Sequence, residues 1–160
     1  MELENRRSDF MSAAIQLAID SVGAGHGGPF GCVIVKDGRI IGRGWNQVLI
    51  KNDPTAHAEV VAIRDACQAI GAFHLDGCEL YTTCEPCPMC LSAIYWARLD
   101  RYYFGCTAQD AAAIDFADAF IHHKLGLPPD QRTIPAMPLM RTESLAAFAA
   151  WQAKADRMQY

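Results

Sequence analysis

Two short stretches of the chain carry residues of the kind that bind metal and move protons. They are Pro54-Thr55-Ala56-His57-Ala58-Glu59-Val60 and Thr83-Cys84-Glu85-Pro86-Cys87-Pro88-Met89-Cys90. Cys87 and Cys90 are three apart and so share one face of a helix. A helix beginning at Cys87 would lower its thiol pKa and favour the thiolate that ligates zinc. With His57 these make three protein ligands of the types zinc prefers, leaving a fourth position for water, whose pKa the metal lowers towards neutrality. Glu59 lies two residues from His57 and projects differently from an ideal helix, which suits a group that touches the water and not the metal. The pattern predicts one Zn2+ per subunit on His57, Cys87 and Cys90, with Glu59 as the catalytic acid–base.

Two other readings use the same cysteines. A closed structural zinc site would take Cys84 as fourth ligand, but Cys84 sits at a strand end, one turn ahead of the helix, and Glu59 would then have no purpose. A redox C-x-x-C explains neither His57 nor Glu59. Seven cysteines is an odd number and the chain lacks a signal-like start, which favours metal binding over a disulfide framework. Cys32, Cys67, Cys78 and Cys106 are scattered in apolar surroundings and read as small buried hydrophobes.

Bulk properties narrow the setting. At 160 residues, with 51% hydrophobic and 20% charged, the chain fits one ordered globular domain spanning 1–160. No apolar run approaches the roughly 18 residues of a membrane span, and the polar stretch Met1–Asp9 leads into a helical pattern and not a signal core. The expected location is the cytoplasm, with no membrane partner. Net charge is −4 and only 4 of 14 basic residues are Lys, so no basic face for nucleic acid is expected, although Arg39, Arg43 and Arg64 could cluster.

The elements that must position these residues follow from periodicity. Phe10, Met11, Ala14, Ile15, Ala18 and Val22 lie on one helical face that stops at the glycines from Gly23 to Gly28. A strand at Gly31–Val35, a turn at Asp37-Gly38 and a partner strand at Ile40–Asn46 make a hairpin. A helix over Thr55–Ile70, capped by Asp53 or Thr55, a strand at Glu79–Thr83, a helix from Cys87 to Arg98 and a strand at Arg101–Cys106 complete a parallel core. Beyond it, a helix over Ala108–Lys124, an edge strand at Ile134–Met140 interrupted by Pro135 and Pro138, and a last helix capped by Ser144 are expected, the last with Leu145, Phe148, Trp151 and Ala155 inward. The fold class is α/β, a three-layer α/β/α arrangement around a mixed sheet of about five strands. Ligands of such sheets sit beyond the carboxyl ends of strands, where the following helices begin, and both His57 and Cys87 fall there.

His-x-Glu paired with Pro-Cys-x-x-Cys is the signature of the zinc deaminases, and the resemblance reaches further. The chain resembles bacterial guanine deaminases of the cytidine-deaminase-like superfamily through GGPFGCVIVKDG (27–38), NDPTAHAEVVAIRDAC (52–67), LYTTCEPCPMCLSAIYWAR (80–98), FADAFI (116–121), RTIP (132–135) and the terminal Tyr160. It implies hydrolysis of guanine to xanthine and ammonia. Asn46, at the metal edge by topology, becomes by resemblance a hydrogen-bond partner of the purine, with a turn-forming Asn as the plain alternative. Phe30 falls on the same edge and either stacks on the base or packs in the core. Where the family commonly has Phe-Asp-Asp, this chain has Phe116-Ala117-Asp118, and Asp118 is taken as the functional acid at the leaving amine. The resemblance further implies a homodimer in which residues 141–160 cross to the partner and Tyr160 closes its pocket. Deaminases of guanosine or another purine derivative, tRNA adenosine deaminases, and an inactive zinc-stabilised binding subunit are the competing functions.

Overall fold

The computed structural model describes residues 2–159, and the chain divides after Ala119 into two compact units. The first carries the sheet. Helix α1 (Glu2–Gly23) leads into the hairpin of β1 (Gly31–Lys36) and β2 (Arg39–Trp45), which turns at Asp37-Gly38 with φ of 49° and 71°. Both turn residues are left-handed, the requirement of a type I′ turn, and an Asp-Gly pair meets it at low cost. A short helix α2 (Val48–Lys51) precedes α3 (Ala58–Ile70), β3 (Cys78–Cys84), α4 (Pro88–Trp96), β4 (Arg101–Cys106) and α5 (Ala108–Ala112).

Among the described residues the sheet has four strands in the order β2-β1-β3-β4, one fewer than about five. Strand β1 is antiparallel to both neighbours, whereas β3 and β4 are parallel. Strands β2, β3 and β4 therefore end at one edge of the sheet, and β1 starts there. Strand β1 is buried on both faces, so its sequence GCVIVK shows no alternation. Val33 and Val35 pack with Tyr81 and Ala14 under α1, while Cys32 and Ile34 pack with Leu80, Ala58, Ala62 and Ala66 under α3 and α4. The three layers are those expected.

Small residues set the distance between α3 and the sheet. Ala58, Ala62 and Ala66 are fully buried, and they face Gly42 and Gly44 of β2. A Cβ on Gly44 would strike the Ala58 carbonyl and lie 2.5 Å from the Ala62 nitrogen; one on Gly42 would lie 2.6 Å from the Ala62 carbonyl. A glycine interior to a strand here marks backbone approach.

Several expectations are corrected. Helix α3 begins at Ala58 and not at Thr55, with His57 as its N-cap; Asp53 instead accepts from the Thr55 nitrogen and hydroxyl at 2.8 and 2.7 Å, a local turn that competes with helix. The single helix expected over Ala108–Lys124 is two, α5 and α6 (Ala119–Leu125), interrupted where Asp115 takes a φ of 70°. Of the four scattered cysteines, Cys32 and Cys78 are buried, but Cys67 is half-buried and Cys106 exposed.

The second unit holds most of α6, a short 3-10 turn (Pro129–Gln131) and α7 (Arg141–Ala153). Residues 134–140 form no strand, since Pro135 and Pro138 remove two ladder donors within five residues. Helix α7 has Met140, not Ser144, as its N-cap, and Ser144 donates from within the first turn to the Met140 carbonyl at 2.7 Å. Leu145, Phe148 and Trp151, expected inward, are 40%, 69% and 41% exposed.

The α3 packing is testable. Gly44→Ala should lower unfolding free energy by about 1–3 kcal/mol, the usual cost of overpacking, and weaken zinc retention because His57 is the N-cap of α3. Urea denaturation and metal content after dialysis measure both.

Candidate active site

Both metal-binding elements are helix starts. His57 is the N-cap of α3 and Cys87 the N-cap of α4, each with extended backbone (ψ of 156° and 166°). Pro88 at the first helical position fixes the start of α4 at no cost in hydrogen bonds. The Asp53–Thr55 turn leads the chain into His57, whose nitrogen donates to the Thr55 carbonyl at 2.8 Å.

His57 Nδ1 lies 3.6 Å from Cys87 Sγ and 3.5 Å from Cys90 Sγ. Tetrahedral zinc with bonds of about 2.3 Å to sulfur and about 2.0–2.1 Å to nitrogen requires such pairs to be roughly 3.6 Å apart. The donor set and its spacing thus fit Zn2+. The three ligand atoms all lie within 4.8 Å of one another. Cys84 is not in this group; its thiol is directed to the Thr107 carbonyl at 3.6 Å.

Electrostatics prepare the same atoms. A hydrogen bond from Cys90, followed by one from His57, brings the Cys87 thiol down to about 4, while the same bond to Cys87 and burial push Cys90 up. A thiol pKa held low at Cys87 favours the thiolate that ligates zinc, and a zinc ion held here would take the place of the Cys90 thiol proton. Burial raises Cys84 to about 11.

Glu59 is 6% exposed, in the first turn of α3, and its Oε1 accepts from the Thr82 hydroxyl at 3.2 Å. Burial is the largest influence on its carboxyl and raises its pKa, opposed by hydrogen bonds from its own backbone and Cys90. A carboxyl raised towards working pH suits proton transfer in both directions. Thr82 was missed by sequence reasoning; a threonine near a strand end carries no signal that separates this role from ordinary strand usage.

The other expected residues fall as follows. Asn46 is 5% exposed. Its nitrogen donates to the Phe30 carbonyl at 3.0 Å and its Oδ1 accepts from Val48 at 3.2 Å, which leaves the amide NH2 to donate elsewhere. The next residue, Gln47, donates to the Ala56 carbonyl at 2.9 Å, tying this segment to the one entering His57. Phe30 is half-buried and meets Phe116 edge to face at 5.1 Å between centroids, so the Phe116–Asp118 segment is anchored beside the start of β1. Asp118, half-buried, directly precedes α6. Tyr160 lies outside the described residues.

The family model for the cytidine and deoxycytidylate deaminase zinc-binding region matches residues 4–106. Guanine deaminase of Bacillus subtilis is 52% identical over 94% of this chain and 97% of its own. Its crystal structure superposes with a TM-score of 0.93 over 96% of this chain and 98% of that one. A tRNA-specific adenosine deaminase of Agrobacterium fabrum is 42% identical over 73% of this chain and 80% of its own. A guanine deaminase structure from Nitrosomonas europaea shares 27% identity at a TM-score of 0.65, over 91% of this chain and 84% of that one. The chain belongs to the zinc-dependent deaminases of the cytidine and deoxycytidylate deaminase family, and within them to the group of the Bacillus guanine deaminase.

The metal assignment separates the open site from a four-ligand one. Cys84→Ala should retain one zinc per chain, whereas alanine at His57, Cys87 or Cys90 should lose it, as plasma emission spectrometry of the dialysed proteins would register.

Proposed function

We propose that this protein hydrolyses guanine to xanthine and ammonia. One observation carries the reading: the likeness to the Bacillus enzyme reaches 52% identity over nearly the whole of both chains, whereas the Agrobacterium tRNA deaminase reaches 42% over 73% of this chain. Zinc would be held by His57, Cys87 and Cys90 and would supply the Lewis acidity that makes water nucleophilic near neutral pH. Glu59 takes a proton from the water as the water oxygen bonds to C2 of the base and passes it to a ring nitrogen. It then takes the remaining proton from the C2 hydroxyl as the carbonyl forms and delivers it to the 2-amino group as the C–N bond breaks and ammonia leaves. Thr82 holds one carboxylate oxygen of Glu59 and so orients this shuttle. Asn46 donates its amide NH2 to the purine, Phe30 lines the base, and Asp118 serves the departing amine.

We further propose that the protein works in the cytoplasm as a homodimer, without nucleic acid or membrane. Among the described residues no helix is long and apolar enough to cross a membrane. Residues 141–160 would cross to the partner and place Tyr160 over its pocket. The apolar residues of the second unit support this: Ile134, Met137, Leu139 and Phe148 are all 69% exposed or more, a surface that calls for a partner.

Purified protein of known zinc content should release ammonia from guanine much faster than from guanosine, since a closing tyrosine leaves no room for ribose. Release from a tRNA adenosine in preference to guanine would move the chain to the other branch. Glu59→Gln should keep zinc and guanine binding yet lose roughly 10³-fold in kcat, within the range for general acid–base loss. Near-normal turnover of that variant would remove Glu59 from the mechanism.

The crossing tail has its own test. Inactive Glu59→Gln chains are dissociated and reassociated with chains lacking Tyr160. A swapped heterodimer contains one pocket with both an intact Glu59 and an intact tyrosine, so part of the activity should return. If each tail covered its own pocket, every mixture would stay inactive.

A further inference from the structure

Strand β2 ends at Trp45, immediately before Asn46. Trp45 Nε1 donates to His26 Nδ1 at 3.1 Å, and the two rings stack with centroids 6.2 Å apart at 29°. An indole N–H only donates, so His26 accepts through Nδ1 and carries its hydrogen on Nε2. His26 belongs to the loop between α1 and β1. Its backbone is held on both sides: the nitrogen donates to the Ser21 carbonyl at 3.1 Å, and the carbonyl accepts from Ile50 at 3.4 Å. His26 thus joins the end of α1, the end of β2 and the helix α2 that follows Asn46.

The next residue shows what this junction controls. A Cβ on Gly27 would collide with the Asn46 Oδ1 and lie 2.9 Å from the Asn46 carbonyl. The backbone at 27 therefore forms a wall against the Asn46 amide, and the Val48 nitrogen donates to the same oxygen at 3.2 Å. Displacing the loop by releasing His26 would free the amide to rotate.

We infer that the Trp45–His26 pair is a positioning clamp that presses the Gly27 backbone against Asn46 and so aims its NH2 group at the purine. The inference rests on the reading of Asn46 as a base-binding residue. Neither ring need touch the base; each acts through Asn46, so the clamp governs how well substrate is held and not how Glu59 moves protons.

A double-mutant cycle tests this. Trp45→Phe removes the donor and keeps a ring, while His26→Leu removes the acceptor. Each should raise KM for guanine about tenfold, the scale of one hydrogen bond, with kcat within twofold and zinc content unchanged. His26→Asn, whose Oδ1 sits near the place of Nδ1, should bring KM most of the way back. In an Asn46→Ala background Trp45→Phe should change KM no further. An equal change in both backgrounds would show that the pair acts elsewhere and overturn the clamp. So would an unchanged KM in Trp45→Phe and His26→Leu when Asn46→Ala alone raises it. If Asn46→Ala alone leaves KM unaltered, the base-binding reading of Asn46 fails and the clamp with it, an outcome told apart by that single variant.

Discussion

Three ligand atoms from two different helices must meet within 4.8 Å before a metal arrives, and the fold satisfies that constraint through where its helices begin. Both α3 and α4 start at one edge of the sheet, and each contributes its N-cap residue to the group that could hold zinc. An N-cap position has extended backbone, so its side chain is aimed by the turn before the helix and not by the helix itself. The depth at which His57 sits is then set by how closely α3 lies on β2. Glycines on the strand facing alanines on the helix make that approach closer than ordinary side chains would allow. Packing more than ten residues of helix is thus the means by which a nitrogen and two sulfurs are held at bonding separation.

The same helix starts supply the electrostatics. The positive end of a helix favours anionic groups in its first turn, and here those groups are a cysteine thiolate on α4 and the Glu59 carboxylate on α3. The two are treated differently by their surroundings. Cys87 is half-buried and is stabilised as an anion by its neighbours, which suits a permanent ligand. Glu59 is almost fully buried, and burial outweighs the hydrogen bonds from its own backbone and Cys90, so its proton affinity rises. The surroundings thus favour the anion at Cys87 and the protonated form at Glu59.

Much of this was legible in the sequence, for reasons that differ by element. The ligands and Glu59 stand out because residue type and spacing are themselves the chemistry. The hairpin was readable because Asp37-Gly38 is tied to one turn geometry, and the layer order followed from alternating helices and strands. The boundaries that slipped have local causes. Side-chain bonding by Asp53 held back the start of α3, and the left-handed backbone at Asp115 split one apolar pattern into two helices. The second unit departed most from expectation, because Leu145, Phe148 and Trp151 have the periodicity of a buried face but are 40%, 69% and 41% exposed. Thr82 and the His26–Trp45 pair were invisible, since their roles come from contacts between residues 19 or more apart in the chain.

Strand β1 runs against its neighbours on both sides, so the site edge receives the ends of three strands and the beginning of a fourth. The endings of β2 and β3 lead into the segments that carry Asn46, His57, Glu59, Cys87 and Cys90, and the ending of β4 leads into α5 and on to Asp118. The beginning brings a loop and Phe30 but no ligand. The part of this edge built by the start of β1 accordingly holds none of the three residues that could bind the metal. Substitutions there can reshape what is admitted while the hydrolytic centre stays as it is, so a single reversed strand gives the enzyme a face on which selectivity can drift independently of catalysis.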